Sequence, residues 1–395
     1  MLEHVITNCF AGMVGWSWVR APRRSVTTVF FFFLALLVTF YSQASSALAQ
    51  GTLTKIDSEV VPSPGDNMVV AVRKSGTFVV TLSRDTDSAY THRLESDSTL
   101  TPIGTSPTGD GPLAVALARK GEFAVVANSL SNDLSVMTIG PTGLLQEVNR
   151  VPSGGVAPSD VGVVFDDLII VANRGALTGE GEGVTLFEID RNGNVRPIGD
   201  LTPTGAQPPL LTGGNDPHIV AVGWSGLVAV ANSSSNDLTL FDVDRRGNMV
   251  LLPPISRPVG GSPKALAFSD NSLFVATRSA QFGAVQDQIE VYHVARDGTL
   301  TLEFTTDAGY FLTDIEANED GLFAVTWSSP TTGALELRAY DTDRKGGLSL
   351  NASLQLPNVR SFQQVFTHPG RRPVDRHVVV TQFQANAIHS VVWWR

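Results

Sequence analysis

The sequence predicts an all-β fold: a seven-bladed β-propeller with four antiparallel strands per blade, its ring closed by the N-terminal strand completing the C-terminal blade. Three observations carry this prediction. A unit of four short apolar runs recurs at intervals of 45 to 59 residues, the period expected of a propeller blade. After residue 50 no long stretch shows helical periodicity, and 36 Gly with 22 Pro suit many short strands and turns. Finally, the last unit stops one strand short, and a matching strand sequence stands near residue 51.

The clearest unit is Asn215 to Pro253, NDPHIVAVGWSGLVAVANSSSNDLTLFDVDRRGNMVLLP. Turn signals at Ser225-Gly226, Ser233 to Asp237 and Arg245 to Asn248 divide it into PHIVAVGW, LVAVAN, DLTLFDVD and MVLLPP. Runs of this length joined by tight hairpins form one antiparallel sheet. The first two are almost wholly apolar and read as inner strands covered on both faces. The third, DLTLFDVD, alternates and reads as more exposed.

With Asn232 as the anchor closing the second run, the equivalent positions are Ser83, Asn128, Asn173, Asn232, Arg278, Trp327 and Gln382. The flanking strings carry the match: TFVVTLS, EFAVVAN, LIIVAN, LVAVAN, LFVATR, LFAVTW and HVVVTQ. The seventh copy runs out at VVWW, its third strand. GTLTKI at Gly51 to Ile56 repeats the fourth-strand string GTLTL at Gly298 to Leu302. It therefore supplies the missing strand, which removes exposed sheet edges and ties the termini together. Insertions in a repeat protein map to loops, often on the binding face. NRGALTGEGEG and PTGAQPPLLTGGND in the third copy, RSAQFGAVQDQ in the fifth and WSSPTTGA in the sixth extend one face, and HPGRRPVDR in the seventh lies on the other.

Residues 1–49 stand apart. Arg20, Arg23 and Arg24 precede VTTVFFFFLALLVTFYSQ, and small residues lead to Ala47-Leu48-Ala49. That order of charge, apolar run and cleavage site predicts a secretory signal peptide, cleaved to leave residues 50–395 as one secreted or periplasmic propeller domain. The alternative is an uncleaved membrane anchor, though the apolar run is short of the about 20 residues a span needs; Met13 is a second candidate start. The only cysteine, Cys9, lies in the removed segment, so stability rests on burial and ring closure. Taking three Arg and one Glu from the 28 basic and 38 acidic residues leaves 25 and 37, a net charge of −12. Nucleic acid is a poor partner for such a surface. The expected partner is a small anionic molecule or a protein, met by a monomer without a membrane once the signal is removed. Asn232-Ser233-Ser234 and Asn351-Ala352-Ser353 fit the glycosylation sequon.

Connectivity places the residues that follow each blade-opening proline on the same face as the anchors. Leu113, Ser159, His218, Lys264 and Thr313-Asp314 therefore converge with Asn128, Asn173, Asn232, Arg278 and Trp327 at one mouth of the channel. His218 is the candidate general acid or base, since a neutral imidazole serves either role; the alternative is a histidine that satisfies loop carbonyls. Lys264, Arg278 and Arg174 suit a carboxylate or phosphate, and Asp314, Trp327, Asn173 and Asn232 complete the candidate binding set. Glu316 interrupts a first strand, where a buried carboxylate needs a partner or a raised pKa; a salt bridge to a neighbouring blade is the expectation. Asp242-x-Asp244-x-x-Gly247 and Asp190-x-Asn192-Gly193-Asn194 resemble calcium-loop fragments but lack the distal glutamate, and they occupy turns that favour Asp, Asn and Gly anyway. No His spacing suggests zinc. Neither a metal nor a cofactor is expected.

PHIVAVGWSGLVAVANSSSNDLTLFDVDRRGNM resembles the blade repeat of the seven-bladed lactonase and muconate-cyclase propellers, which include bacterial-type 6-phosphogluconolactonases and 3-carboxymuconate cyclases. The resemblance covers about residues 51–395. It implies a site of His, Arg and Glu at the channel mouth. His218 in NDPHIV matches the family histidine, and Lys264 in SPKALAF stands where the family has Arg. Arg278 in FVATRS stands where the family has Glu, and Trp327 where another Arg is common. One position of four is kept, one keeps only its charge, and two change in kind. A guanidinium that stays protonated cannot inherit an acid-base role. The resemblance implies action on, or binding of, a carboxylate-bearing lactone or sugar acid; the alternative is a non-catalytic extracytoplasmic propeller that binds a ligand or protein.

Overall fold

All seven anchors fall at or beside the end of a second strand: Ser83 closes Gly76–Ser83, Asn232 closes Leu227–Asn232, and Gln382 closes His377–Gln382. The computed structural model describes residues 52–60, 68–73, 76–176, 181–198, 214–254, 257–279, 285–295, 297–318, 321–329, 331, 335–342, 347–356, 365–367, 377–382 and 387–394. The predicted signal peptide, HPGRRPVDR and most of PTGAQPPLLTGGND lie outside them. Residues Gly51–Arg395 form one compact unit.

Blade four shows the construction. Pro217–Val222, Leu227–Asn232, Asp237–Val243 and Met249–Leu251 pair antiparallel in chain order. Blades one, two and three repeat this order from Met68–Arg73, Pro112–Ala118 and Pro158–Val164 outward. Blades five and six share one long strand, Leu300–Asn318. Its first part is the outer strand of five, and its second part is the inner strand of six. In the seventh sheet Val365–Thr367, His377–Gln382 and Ala387–Trp394 come from the C-terminus, and the fourth strand is Thr52–Val60. That strand lies antiparallel to the last one, with Thr52 opposite Trp394 and Val60 opposite Ala387. Seven four-stranded blades are thus present among the described residues, and first strands touch from blade to blade around the circle.

The core lies between blades. Phe123, Val125 and Leu134 of blade two pack with Val161, Ile169 and Phe187 of blade three, and Ile170 and Leu186 of three with Val228 and Phe241 of four. Each sheet buries both faces, so burial of apolar area holds the ring together. This corrects the expected gradient. The third strand Asp237–Val243 is buried except at Asp242, because it stands inside the sheet with a blade on each side. The half-exposed strands are the outermost, Met249–Leu251, and the innermost, Pro217–Val222, which faces the channel.

The polar positions of the third strand are absorbed by the anchors. Asn232 Nδ2 donates to Asp237 Oδ1 at 2.7 Å and to Thr239 Oγ1 at 2.9 Å, and Asn128 makes the same clamp to Asp133 (2.7 Å) and Ser135 (3.0 Å). Asn173 Nδ2 donates to Thr185 Oγ1 at 3.1 Å. In the third-to-fourth turns Asp190 accepts from Asn192 and Asn194, and Asp244 from Arg246 and Asn248. Those two carboxylates serve as backbone caps.

Candidate active site

The residue after each blade-opening proline sits on a β-bulge. In blade four the register jumps from Pro217 opposite Asn232 to Ile219 opposite Ala231, leaving His218 unpaired. Lys264, Ser159 and Leu113 are the extra residues in blades five, three and two. Two residues facing one on the neighbouring strand bend the strand and re-aim a side chain, a device common at rims and active sites. In blades two, three and four the residue before the proline helps to set the bend: Gly111, Ala157 and Asp216 all have positive φ, with Asp216 at 62°. Blade six carries a longer irregularity between Tyr310 and Asp314.

These bulges gather one electrostatic cluster. His218 is half-buried, and its pKa is lowered to about 4 by burial first, then by the Arg174 cation and, more weakly, Lys264, with Asp216 opposing. It is therefore neutral at pH 7, and its buried Nδ1 has no hydrogen-bond partner among the described residues. Burial also lowers the pKa of Lys264, helped by Arg278 and Arg174 and opposed by Asp216 and Asp287. Groups that act on one another in this way share one mouth, so the structure brings together His218, Lys264, Arg278 and Arg174.

Two carboxylates that sequence reasoning passed over hold the arginines. Asp216 takes the Arg174 guanidinium through two hydrogen bonds of 2.6 and 3.3 Å and accepts the Ser234 hydroxyl at 3.3 Å, while its own N–H donates to Glu182. Asp287 lies 3.8 Å from Arg278 Nε and accepts the N–H groups of Ser279 (2.9 Å) and Leu312 (2.7 Å). Burial raises the pKa of Asp287, against those N–H groups and the Arg278 and Lys264 charges. A signal for Asp287 was present in the sequence. Its neighbour Gln288 pairs with Thr277, so Asp287 stands opposite Arg278 as Asp237 stands opposite Asn232. Arg278 also donates to the Leu312 carbonyl at 3.1 Å and lies over the Phe311 ring at 6.0 Å; that ring packs against Trp327 at a tilt of 41°, with centroids 4.0 Å apart. Trp327 is half-buried, and its buried indole N–H has no partner among the described residues.

Other expected members fall elsewhere. Asn173 and Asn232 have no exposed surface, and their side-chain N–H groups donate inside the blades; the structure places them beneath the mouth. The same burial removes the Asn232 sequon from the folded surface. Asp314 and Glu316 lie two residues apart on the inner strand of blade six. Glu316 has no ion pair among the described residues; its pKa rises to about 8 through burial, and the Asp314 charge raises it further. The expected salt bridge is replaced by a carboxyl that keeps its proton. Asp160 resembles it: burial raises its pKa to about 7, while Val161 and Val220 N–H groups donate to it at 2.8 and 2.7 Å and join blades three and four. A groove of about 1220 Å³ opens at the opposite ends of these blades against Trp224, Phe268, Asp270 and His293, and contains none of the mouth residues.

Residues 36–163 match the family model described as Lactonase, 7-bladed beta-propeller. The chain resembles the lactonase propellers in sequence and in fold. A 6-phosphogluconolactonase of Bacillus subtilis (strain 168) is 28% identical over 188 residues, 45% of this chain and 50% of the relative, so the match spans half of that relative's length. The periplasmic gluconolactonase of Pseudomonas aeruginosa superposes with a TM-score of 0.57 at 16% identity, over 75% of this chain and 85% of its own. A proposed 6-phosphogluconolactonase of Bacteroides fragilis gives 0.58 at 16%, over 82% and 89%. At such identities the structural likeness shows the lactonase-type propeller fold alone. Among the described residues no helix is long and apolar enough to cross a membrane.

Proposed function

We propose that this lactonase-type propeller is exported and opens a lactone bearing an anionic group, held at the mouth formed by blades three to six. The observation that carries the reading is a neutral imidazole with an unpartnered Nδ1 beside Lys264, a cation with no ion pair among the described residues. In hydrolysis, His218 takes a proton from water as the water oxygen bonds to the lactone carbonyl carbon. The ring C–O bond then breaks, and the proton passes to the departing alkoxide to give a hydroxy acid. Lys264 and Arg278 hold the ligand's anion. Bound anion offsets the Arg174 and Lys264 fields at His218, which restores some of its basicity. Export is supported by Arg20, Arg23 and Arg24, the apolar run and Ala47-Leu48-Ala49, together with the periplasmic name of one structural neighbour.

Binding without turnover is favoured by a different observation: Arg278 and Trp327 supply no acid or base, and the nearby Asp216 is engaged by Arg174. Assay of the full chain on sugar and carboxylated muconate lactones decides between the two. With turnover, His218→Ala lowers kcat/KM by about 100-fold, and kcat/KM of the native chain falls as pH drops through about 4, where the imidazole charges. Equal turnover in the variant removes His218 from the chemistry. No turnover with retained binding of the anion selects the binding role.

A further inference from the structure

The charges at the mouth do not contribute equally. Arg174 is neutralised by Asp216 through two hydrogen bonds, and Arg278 by Asp287 at 3.8 Å. Lys264 has neither an ion pair nor a hydrogen bond among the described residues, yet it feels both of those arginines and both of those carboxylates. Of the three cations, Lys264 alone lacks a carboxylate partner among the described residues.

We infer that the mouth selects ligands carrying a single negative charge and discriminates against phosphate esters, with Asp216 as the residue that sets the limit. The inference rests on the reading of the mouth as an anion site and narrows it. A carboxylate places one charge on Lys264 and is balanced. A phosphate monoester brings roughly −1.5 to −2 at pH 7, and its excess charge meets Asp216 and Asp287 across a half-buried surface, where repulsion is weakly screened. The Arg174 fork is already taken by Asp216 through two hydrogen bonds, so it offers phosphate no open bidentate face. Ring opening of a lactone that already carries one carboxylate adds a second, so the product is a dianion. The same balance that admits such a substrate then favours release of its product.

Two pyranoses differing at C6 make the test: glucuronate with one negative charge and glucose 6-phosphate with about two. Binding to the full chain is followed by the NMR signals of the His218 ring, a reporter within the mouth. The native chain is expected to bind glucuronate about fivefold or more tightly over glucose 6-phosphate, and Asp216→Asn to move that ratio by about tenfold toward the phosphate as one carboxylate charge is lost. Lys264→Gln is expected to weaken glucuronate by about tenfold. Tighter phosphate binding by the native chain, or an unchanged ratio in a folded Asp216→Asn variant, overturns the single-charge limit while leaving an anion site in place. Absence of binding by both sugars overturns the limit and the anion reading together. Should Asp216→Asn fail to fold, the native preference and Lys264→Gln still decide.

Discussion

The position that closes the second strand does one job in blades two and four and another in blade five. Asn128 and Asn232 are sealed inside their sheets, each donating to an aspartate at the start of the third strand. In blade five the same pair of positions holds Arg278 and Asp287, and the longer cation reaches the channel mouth while its carboxylate stays buried. Blade six goes further: Trp327 stands opposite Leu335 and packs in a tilted contact against Phe311. A repeat architecture lets one backbone site be structural in one blade and functional in the next, because the neighbouring blades supply the fold whether or not each clamp is present. The site is therefore found where the repeat is broken.

The equivalence of these positions depends on a closed ring, and breaking the ring is the strongest challenge to the comparison. Deletion of Thr52–Val60 removes the outer strand of the seventh blade and bares the edge of Ala387–Trp394. The melting temperature should fall by more than about 10 °C, or cooperative unfolding should be lost. A deletion variant that melts where the native chain does would mean the seventh blade is sufficient without its N-terminal strand.

Exchanging the two kinds of anchor gives a sharper and smaller effect. Asn232→Ala removes one donor each from the Asp237 carboxylate, which keeps the Ser235 hydroxyl at 3.0 Å, and from Thr239 Oγ1 inside blade four, at a cost of about 1 kcal/mol, with ligand binding at the mouth unchanged. Arg278→Asn offers in blade five the Asp half of the clamp used in two and four, since Ile289 stands where those blades have Ser135 and Thr239. It should shift the melting temperature by no more than about 2 °C and weaken the bound anion about tenfold. Paired melting and titration curves check both. If Asn232→Ala weakens the ligand, or Arg278→Asn leaves it unaffected, the division between structural and functional anchors is wrong.

The sequence made the fold legible through repetition: seven anchors, one strand missing at the C-terminus and one spare at residue 51. It misjudged the third strand because alternation in DLTLFDVD reads as exposure, when Asp237 and Thr239 are buried and bonded by an anchor amide and only Asp242 and Asp244 at its far end are exposed. At the mouth, the residues after each proline were legible as a set, since connectivity alone places them there. The bulge that turns them was not, because a bulge adds no residue type of its own. Asp216 and Asp287 were missed because an aspartate before a proline or at a strand start also reads as a turn residue; the role of Asp216 further depends on Arg174, 42 residues earlier in the chain. Asn173 and Asn232 were drawn into the site by the same connectivity, which fixes where a backbone ends and leaves open where its side chain points.

The smallest effect lies along the channel wall, where carboxyls replace the cations of the mouth. Glu316 has a folded pKa of about 8 against an ordinary value of 4.5, with burial the main cause and Asp314 adding to it. Below pH 4.5 both folded and unfolded chains hold the proton, and the group has no net effect on stability. As pH rises from there, the unfolded chain releases its proton while the folded chain keeps it, so stability falls until the pH passes about 8 and then levels off. His92 and His218, each lowered to about 4 with burial the main cause, act in the opposite sense, because the unfolded chain gains protons as pH falls from 6.5 to 4. Glu316 on the inner wall thus favours acid, while His218 and His92, the latter in Ser88–Leu94, the third strand of blade one, favour base, which predicts a stability maximum in mildly acidic to neutral solution. Glu316→Gln removes one side of that balance. It should stabilise the fold by on the order of 1–2 kcal/mol at pH 8, a value reduced from the full shift because the channel admits solvent, and by nothing at pH 4. Denaturant melts of the variant and the native chain at the two pH values measure the difference, and an equal gain at both would trace it to packing rather than to the retained proton.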